Sequence, residues 1–273
     1  MKEMTIKEIQ EVSLEILKDI HRFCEQNNIY YTLCGGSLIG AIRHQGFIPW
    51  DDDIDIAMPR PDYEKFIHTY QSSNGYKLFS REIEGGDGVF IAYSRVCEMT
   101  QTFVDASQNP WSNFQTGIWI DIMPLEGAYD DEIKERERWE KANKIWHKSL
   151  WSRYALIKFC DIRNWYLTMK VLFSKLFFKN KFKYFDELIQ LCKECDYDNS
   201  HYFTDLAIVH YGMREYNPKT YLEHRILIQF EKCNFYVCNG YDGWLKHIYG
   251  NYMQLPSESE QKKTHDIYKS YWK

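Results

Sequence analysis

Residues 33–58 read LCGGSLIGAIRHQGFIPWDDDIDIAM, and two short patterns inside this stretch set the expected fold and chemistry. The first is the alternation of Asp53, Ile54, Asp55 and Ile56. Strand side chains alternate between faces, so Asp53 and Asp55 share one side while Ile54 and Ile56 point into a core. Two carboxylates side by side repel each other unless a cation stands between them. Hard oxygen ligands of this kind suit Mg²⁺ or Mn²⁺, with positions left open for substrate phosphates. The second pattern is Gly35-Gly36-Ser37, a turn opening onto a helix. Free backbone N–H groups and the positive end of the helix receive phosphate oxygens there. Taken singly, a Gly-Gly-Ser is usually a turn and an acidic run a solvated loop. A solvated loop, however, gives no reason to set Ile54, Ile56 and Met58 among its carboxylates. Together the two halves point to metal-assisted chemistry at a phosphate.

Upstream, Thr5 and Glu8 have capping-box spacing. Ile6, Ile9, Val12, Ile16, Ile20 and Phe23 recur at helical intervals, which predicts an amphipathic helix to about residue 26. A short strand is expected over 30–33 and a helix over 37–44. Gly46 and Pro49 break the chain before a strand over 53–58. Pro59 and Pro61 stop that strand, and Asp62 is placed to cap a helix to about residue 70. Strands are expected over 76–80 and 90–97, with a turn at 84–88. Residues 117–122 give another, with Ile118, Ile120 and Ile122 on one face, Trp119 and Asp121 on the other, and Pro124 ending it. Asp121 is then a lone carboxylate on an apolar strand. It is suited to complete a metal site; the alternatives are capping a turn or pairing with an arginine.

Whole-chain properties narrow the class. The 273 residues can bury a sizeable core, and 44% hydrophobic with 27% charged residues is ordinary for a folded protein. A formal net charge of −5 argues against a general nucleic-acid binder. The 21 Tyr and 9 Trp suit amphipathic surfaces such as sugar-binding grooves or membrane edges, besides the core. The start, MKEMTIKEIQEVSLEIL, carries acids throughout and does not read as a secretory signal. A cytoplasmic location with reduced thiols is therefore expected for the eight cysteines. Cys192, Cys195, Cys233 and Cys238 form a loose pattern for zinc, weakened by the long gap and the helical look of LIQLCKECD. No stretch reaches the ~18 consecutive apolar residues of a membrane span.

Composition changes after about residue 128. Residues 130–151 read as a charged helix with Trp139, Trp146 and Trp151. Residues 158–185 hold seven Lys or Arg and one acid, Asp161, among many aromatic and aliphatic residues. Two readings stand here: a helix lying in a membrane interface, or one packed on the core with its lysines in solvent. A peripheral contact with the inner membrane face follows from the first.

The run GGSLIGAIRHQGFIPWDDDIDIAMPRPDYEKF, then WIDIMPLEG, then YGNYMQLP with His265 downstream, closely resembles the LicD/fukutin family. The resemblance spans nearly the whole length and is densest at residues 31–66. It implies an α+β fold, a nucleotidyltransferase-like mixed β-sheet core flanked by helices over residues 1–128. A mainly helical appended region, 129–273, would complete the donor and acceptor site. The family pattern places a Gly-Ser turn at Gly36-Ser37, an Asp-x-Asp strand at Asp53 and Asp55, and a third carboxylate at Asp121. Such enzymes move a phospho-alcohol group, as in phosphocholine, from a CDP-alcohol to a hydroxyl of a cell-surface glycan or lipid-linked precursor, releasing CMP.

On this resemblance Asp53, Asp55 and Asp121 would be the metal ligands and catalytic groups, while Gly35, Gly36 and Ser37 would offer donors to phosphate. Arg43 and Arg95 are candidates to neutralise phosphate oxygens, although for Arg95 a structural ion pair is the stronger reading. His265 stands where the family has a histidine. Asp51 and Asp52 are expected to orient the ligands or tighten the turn. The sequence departs from the pattern at Asn251, where the family has Asp, and at Ser257, where it has a second Pro; Lys262 or Lys263 stands in for an Arg. Nucleotidyl transfer by the same carboxylates is the alternative activity, and a non-catalytic sugar- or lipid-binding module is a third reading that the intact acidic set opposes.

Overall fold

A computed structural model describes residues 1–107, 109–157, 165–178, 180, 182–261 and 268–273. His265, Lys262, Lys263 and Cys160 lie outside the described residues, as does part of the 158–185 segment. In chain order the first half runs β1 (Lys2–Glu3), α1 (Ile6–Asn27), β2 (Thr32–Leu33), α2 (Gly35–His44), β3 (Asp55–Pro59), α3 (Arg60–Thr69), β4 (Lys77–Phe79), β5 (Ser94–Cys97), β6 (Thr102–Asp105) and β7 (Trp119–Ala128). The second half adds α4 (Glu132–Arg153), α5 (Trp165–Phe177), α6 (Lys183–Cys192), β8 (Tyr202–Thr204), β9 (Asn217–Pro218), β10 (Arg225–Phe230), β11 (Cys233–Cys238), α7 (Tyr241–Tyr249) and β12 (Lys269–Trp272). The class is α+β, with helices against mixed sheets.

The expected capping box opens α1. The Thr5 hydroxyl accepts from Glu8 N–H, and the Glu8 carboxylate accepts from Thr5 N–H at 2.8 Å. The central sheet has the order β2-β3-β7-β5-β4, extended by β8 on β7 and β9 on β8. Within it β3 and β7 run parallel, whereas β5 meets β7 antiparallel.

Strand β7 continues through Pro124, four residues past the expected stop. The Asp121 N–H donates to Ile54 O, so by alternation the nitrogen of Pro124 faces away from β3. On that other side β5 has ended opposite Ile122, and β8 begins only opposite Glu126. No ladder hydrogen bond is lost where the N–H is missing.

The second half does not stand apart as a helical unit. It contributes β8–β12, and one buried core joins Ile16, Ile56 and Ile122 to Phe203, Phe235 and Trp244. Strand β12 returns to lie between β1 and β6, closing the chain on its own start. A buried ion pair fastens α3 to the sheet, the Arg60 guanidinium donating to the Glu126 and Glu82 carboxylates.

Helix α5 does not bury its apolar side. Trp165 is 72% exposed and Leu176 67%, with Tyr166, Met169, Leu172, Phe173 and Phe177 also exposed. Among the described residues no helix is long and apolar enough to cross a membrane. Nor do the described cysteines gather into a metal-binding group: Cys192 lies on α6, and Cys233 and Cys238 on the β10–β11 hairpin.

Candidate active site

Three strands align the charged groups. Asp55 on β3 lies opposite Asp121 on β7, and Arg95 on β5 lies opposite Asp121 from the other side. Residues directly opposite on neighbouring strands share a face, so these three form one row across the sheet. The regular strand starts at Asp55, two residues later than expected, which leaves Asp53 in the approach to it.

The start of α2 is pinned to the same strand. Cys34 N–H donates to Asp55 O at 3.2 Å, and Ser37 Oγ accepts from Asp55 N–H at 2.9 Å. The Ser37 hydroxyl thus positions the acidic strand. Gly35 adopts φ +54°, and a Cβ there would stand 3.4 Å from Asp55 Oδ2. A Cβ on Gly36 would stand 2.6 Å from Asp51 Oδ2. The two glycines let the helix start approach both carboxylates directly, and helix α2 begins at Gly35 itself, capped by Cys34.

Asp51, Asp52 and Asp53 bring one carboxylate oxygen each within 4.8 Å of one another. Among the described residues this is the grouping that could hold a cation, and it shifts emphasis toward the two aspartates expected to be supporting. Burial, then the Asp53 charge, pushes the Asp51 carboxyl up to about 8. Burial, followed by Asp53 and Asp121, drives Asp55 well above the usual carboxylate range. Asp121 is also raised by burial, with Arg95 opposing the shift. A crowded set of hard oxygen donors, strained by its own charge, fits Mg²⁺ or Mn²⁺.

Arg95 holds Asp121 through Nε to Oδ1 at 2.5 Å and Nη2 to Oδ2 at 3.1 Å. Its guanidinium packs against the rings of Trp111 and Trp119, 4.4 and 4.2 Å from their centroids, and the two rings meet each other edge-on at 5.5 Å. The buried Nη1 has no hydrogen-bond partner.

Two cavities meet at these residues. The first, about 280 Å³, has Asp52, Asp53, Arg95, Asp121, Tyr93, Trp119, Arg153 and Tyr268 on its wall. The second, about 380 Å³, has Gly35, Gly36, Asp51, Asp53 and Asp55 on its wall together with Asp205, Tyr211, Glu215, Trp244 and Tyr249. Asp53 belongs to both walls.

Arg43 is not brought to either cavity. Its Nη1 donates to Tyr252 O at 2.7 Å and its Nε to His44 Nε2 at 2.9 Å, tying α2 to the C-terminal loop. The expectation that Arg43 faces phosphate gains no support from these contacts, since Arg43 lies in the last turn of α2, away from Gly35. Asp205, Tyr211, Glu215, Tyr93 and Tyr268 escaped sequence reading. Asp205, Tyr211 and Glu215 sit in an aromatic, irregular segment without periodicity, while Tyr93, on an expected strand, and Tyr268 carried no motif, and only the high Tyr and Trp content hinted at such walls.

Residues 28–163 match the family described as LicD/FKTN/FKRP, nucleotidyltransferase domain. The chain belongs to the LicD family of phosphotransferases. Over 274 aligned residues, covering 97% of this chain and 97% of the relative, it is 33% identical to the lipopolysaccharide cholinephosphotransferase LicD of Haemophilus influenzae. An uncharacterised protein of Rickettsia prowazekii is 43% identical over 124 residues, 44% of this chain and 42% of that protein. One of Rickettsia typhi is 44% identical over 85 residues, 31% and 26% respectively.

Proposed function

We propose that this protein transfers phosphocholine from a CDP-activated donor to a hydroxyl of a cell-surface glycan or lipid-linked glycan precursor, releasing CMP. The observation that carries the reading is Asp53 on the wall common to two cavities, one bordered by the Gly35-Gly36 helix start and the other by aromatic rings. The relative from Haemophilus influenzae, a lipopolysaccharide cholinephosphotransferase by name, supports the choice of group and acceptor class. The helix start, the acidic β3 and the carboxylate on β7 support a nucleotidyltransferase-like core.

The donor pyrophosphate would lie in the second cavity against the N–H groups at the start of α2. Asp51, Asp52 and Asp53 would hold Mg²⁺ or Mn²⁺, with Asp55 and Asp121 beside them on the sheet. When bound, the ion supplies charge neutralisation to the pyrophosphate. The acceptor hydroxyl would enter the first cavity, whose Trp119, Tyr93 and Tyr268 suit the apolar face of a sugar. Its proton passes to the Asp52–Asp53 carboxylates. The acceptor oxygen bonds to the phosphorus distal to the cytidine, the bond from that phosphorus to the bridging oxygen breaks, and CMP leaves with it. Asp121 positions Arg95, whose free Nη1 is left to receive an oxygen of the incoming group.

The acceptor's lipid gives the exposed face of α5 a role. Its sequence WYLTMKVLFSKLF carries lysines and no acid, which suits an anionic membrane surface. The test of the reaction is product analysis with CDP-choline and a glycolipid extract: CMP with a phosphocholine-bearing acceptor supports it, and a nucleotide-bearing acceptor overturns it.

A further inference from the structure

The second cavity does not end at the phosphate-binding turn. Its wall also includes Tyr211, Tyr249 and Trp244, with Asp205 and Glu215 among them. The Tyr211 and Tyr249 rings meet edge-on at 5.3 Å between centroids. Trp244 Nε1 donates to Glu215 Oε2 at 3.1 Å, so the Glu215 carboxylate is fixed. Asp205 differs: its Oδ1 is buried and accepts no hydrogen bond. Burial, and then Glu215, pushes the Asp205 carboxyl well up, and burial brings Glu215 to about 7. A buried carboxylate oxygen without a partner is costly and needs an explanation. None of the chemistry assigned above uses it.

The chemistry of the wall selects its occupant. A carboxylate beside aromatic faces attracts a cation, whose charge in turn favours the ionised form that burial opposes, and a quaternary ammonium with no N–H to satisfy is the cation best suited to such a lining. Distance makes the same selection. The Tyr249 hydroxyl lies 3.9 Å from where a Cβ on Gly35 would be, so the aromatic wall stands beside the phosphate turn. In phosphocholine the ammonium nitrogen is two carbons from the ester oxygen, roughly 5 Å from phosphorus by ordinary bond lengths. A cytosine, held off by its ribose, reaches considerably farther.

We propose that Asp205, Tyr211, Tyr249 and Trp244 form the receptor for the trimethylammonium head of the donor. The assignment rests on the phosphocholine-transfer reading and gives its specificity a location. Asp205 supplies the charge, the rings supply their faces, and Glu215 holds Trp244 in place.

The experiment compares CDP-choline with CDP-3,3-dimethylbutanol, which replaces the charged nitrogen by carbon at constant shape, and with CDP-ethanolamine and CMP. Wild-type protein, Asp205→Asn and Tyr211→Leu are assayed for KM, and calorimetry measures direct binding of free choline and CMP. The proposal predicts that wild type prefers CDP-choline over both analogues by about tenfold or more in KM. Asp205→Asn erases the preference over the neutral analogue while CMP affinity stays unchanged, and Tyr211→Leu weakens CDP-choline in the same sense. No preference in wild type, an undiminished preference in Asp205→Asn, or CDP-ethanolamine binding as tightly as CDP-choline overturns it. A parallel loss of CMP affinity also overturns it, assigning the wall to cytosine instead. The wild-type comparison needs no variant, so a folding defect in Asp205→Asn leaves the proposal open to refutation. Turnover without the preference sinks the receptor and spares the transfer reading. Saturable choline binding lost in Asp205→Asn, with no turnover of any CDP-alcohol, keeps the receptor and sinks the transfer reading.

Discussion

Arg95 and Asp121 face each other across β5 and β7 and are joined by two hydrogen bonds, at 2.5 and 3.1 Å, with the guanidinium packed against two indole rings. The carboxylate expected to complete the metal site, or else to pair with an arginine, is joined through both oxygens to an arginine. The pair then acts as a unit, and the buried Nη1 of the guanidinium is the donor left without a hydrogen-bond partner.

Replacing Arg95 by Ala should leave the Asp121 charge buried and unpaired, destabilising the protein by about 3–5 kcal/mol. Arg95→Lys keeps the charge but not the fork. It should retain most of the stability and lose transfer activity by about 10²-fold or more, in line with loss of one preorganised donor. Urea unfolding and steady-state rates on the two variants check this; full activity in Arg95→Lys would show that the fork is not used.

Gly36→Ala isolates the carboxylate cluster from the fold. The new Cβ would stand 2.6 Å from Asp51 Oδ2, the far end of a side chain that can move. Folding should survive, with the melting temperature within a few degrees of wild type. Stabilisation by added Mg²⁺ should disappear, because Asp51 is pushed out of the cluster. Thermal melts with and without Mg²⁺ read both quantities.

The crowded aspartates impose a pH dependence. Asp51, Asp55 and Asp121 are all shifted upward in the folded protein, Asp51 to about 8. Raised carboxyl pKa values mean that the folded state binds protons the unfolded chain has released. Stability from this source is full below the unfolded value of about 4 and is lost as pH rises through the folded values. Metal-stripped protein should therefore melt lower at about pH 8.5 than at about pH 6. The gain from Mg²⁺ should be larger at the higher pH, where the ion no longer competes with protons. A melting temperature that rises over this interval would contradict the assignment.

Helix α5 should mediate membrane attachment. Trp165→Ser with Leu176→Ser removes two of its exposed apolar side chains, 72% and 67% accessible. Flotation with anionic vesicles should show binding by wild type and a drop of about tenfold or more in the double variant. Equal recovery of both proteins, or equal binding to neutral vesicles, would argue that the lysines and the apolar face serve another purpose.

How far the sequence speaks differs from place to place. Helix α1, the glycine turn and the acidic strand were readable because each is written locally, in a capping box, a backbone requirement and a two-residue alternation. The extension of β7 past Pro124 was not, since it depends on which neighbour ends where. The grouping of Asp51 and Asp52 with Asp53 was hidden for a similar reason. Gln10 of α1 donates from Nε2 to Asp51 O at 2.8 Å, a contact 41 residues away in sequence that fixes the turn. Arg95 was legible as a basic residue on a strand, yet its commitment to Asp121 follows from strand register. Asp205 and Glu215 carried no motif at all; only the folded chain sets them behind the glycine turn.

Asp53 is the residue on which the transfer should depend most, because it alone of the aspartates borders both cavities. The most direct test is CMP release from CDP-choline in the presence of Mg²⁺ and a glycolipid acceptor, measured for purified wild type and Asp53→Asn. Wild type should release CMP in step with phosphocholine gain on the acceptor. Asp53→Asn, with an unchanged circular dichroism spectrum, should be slower by about 10³-fold or more. Turnover by Asp53→Asn close to the wild-type rate would contradict the role of Asp53 in phosphocholine transfer.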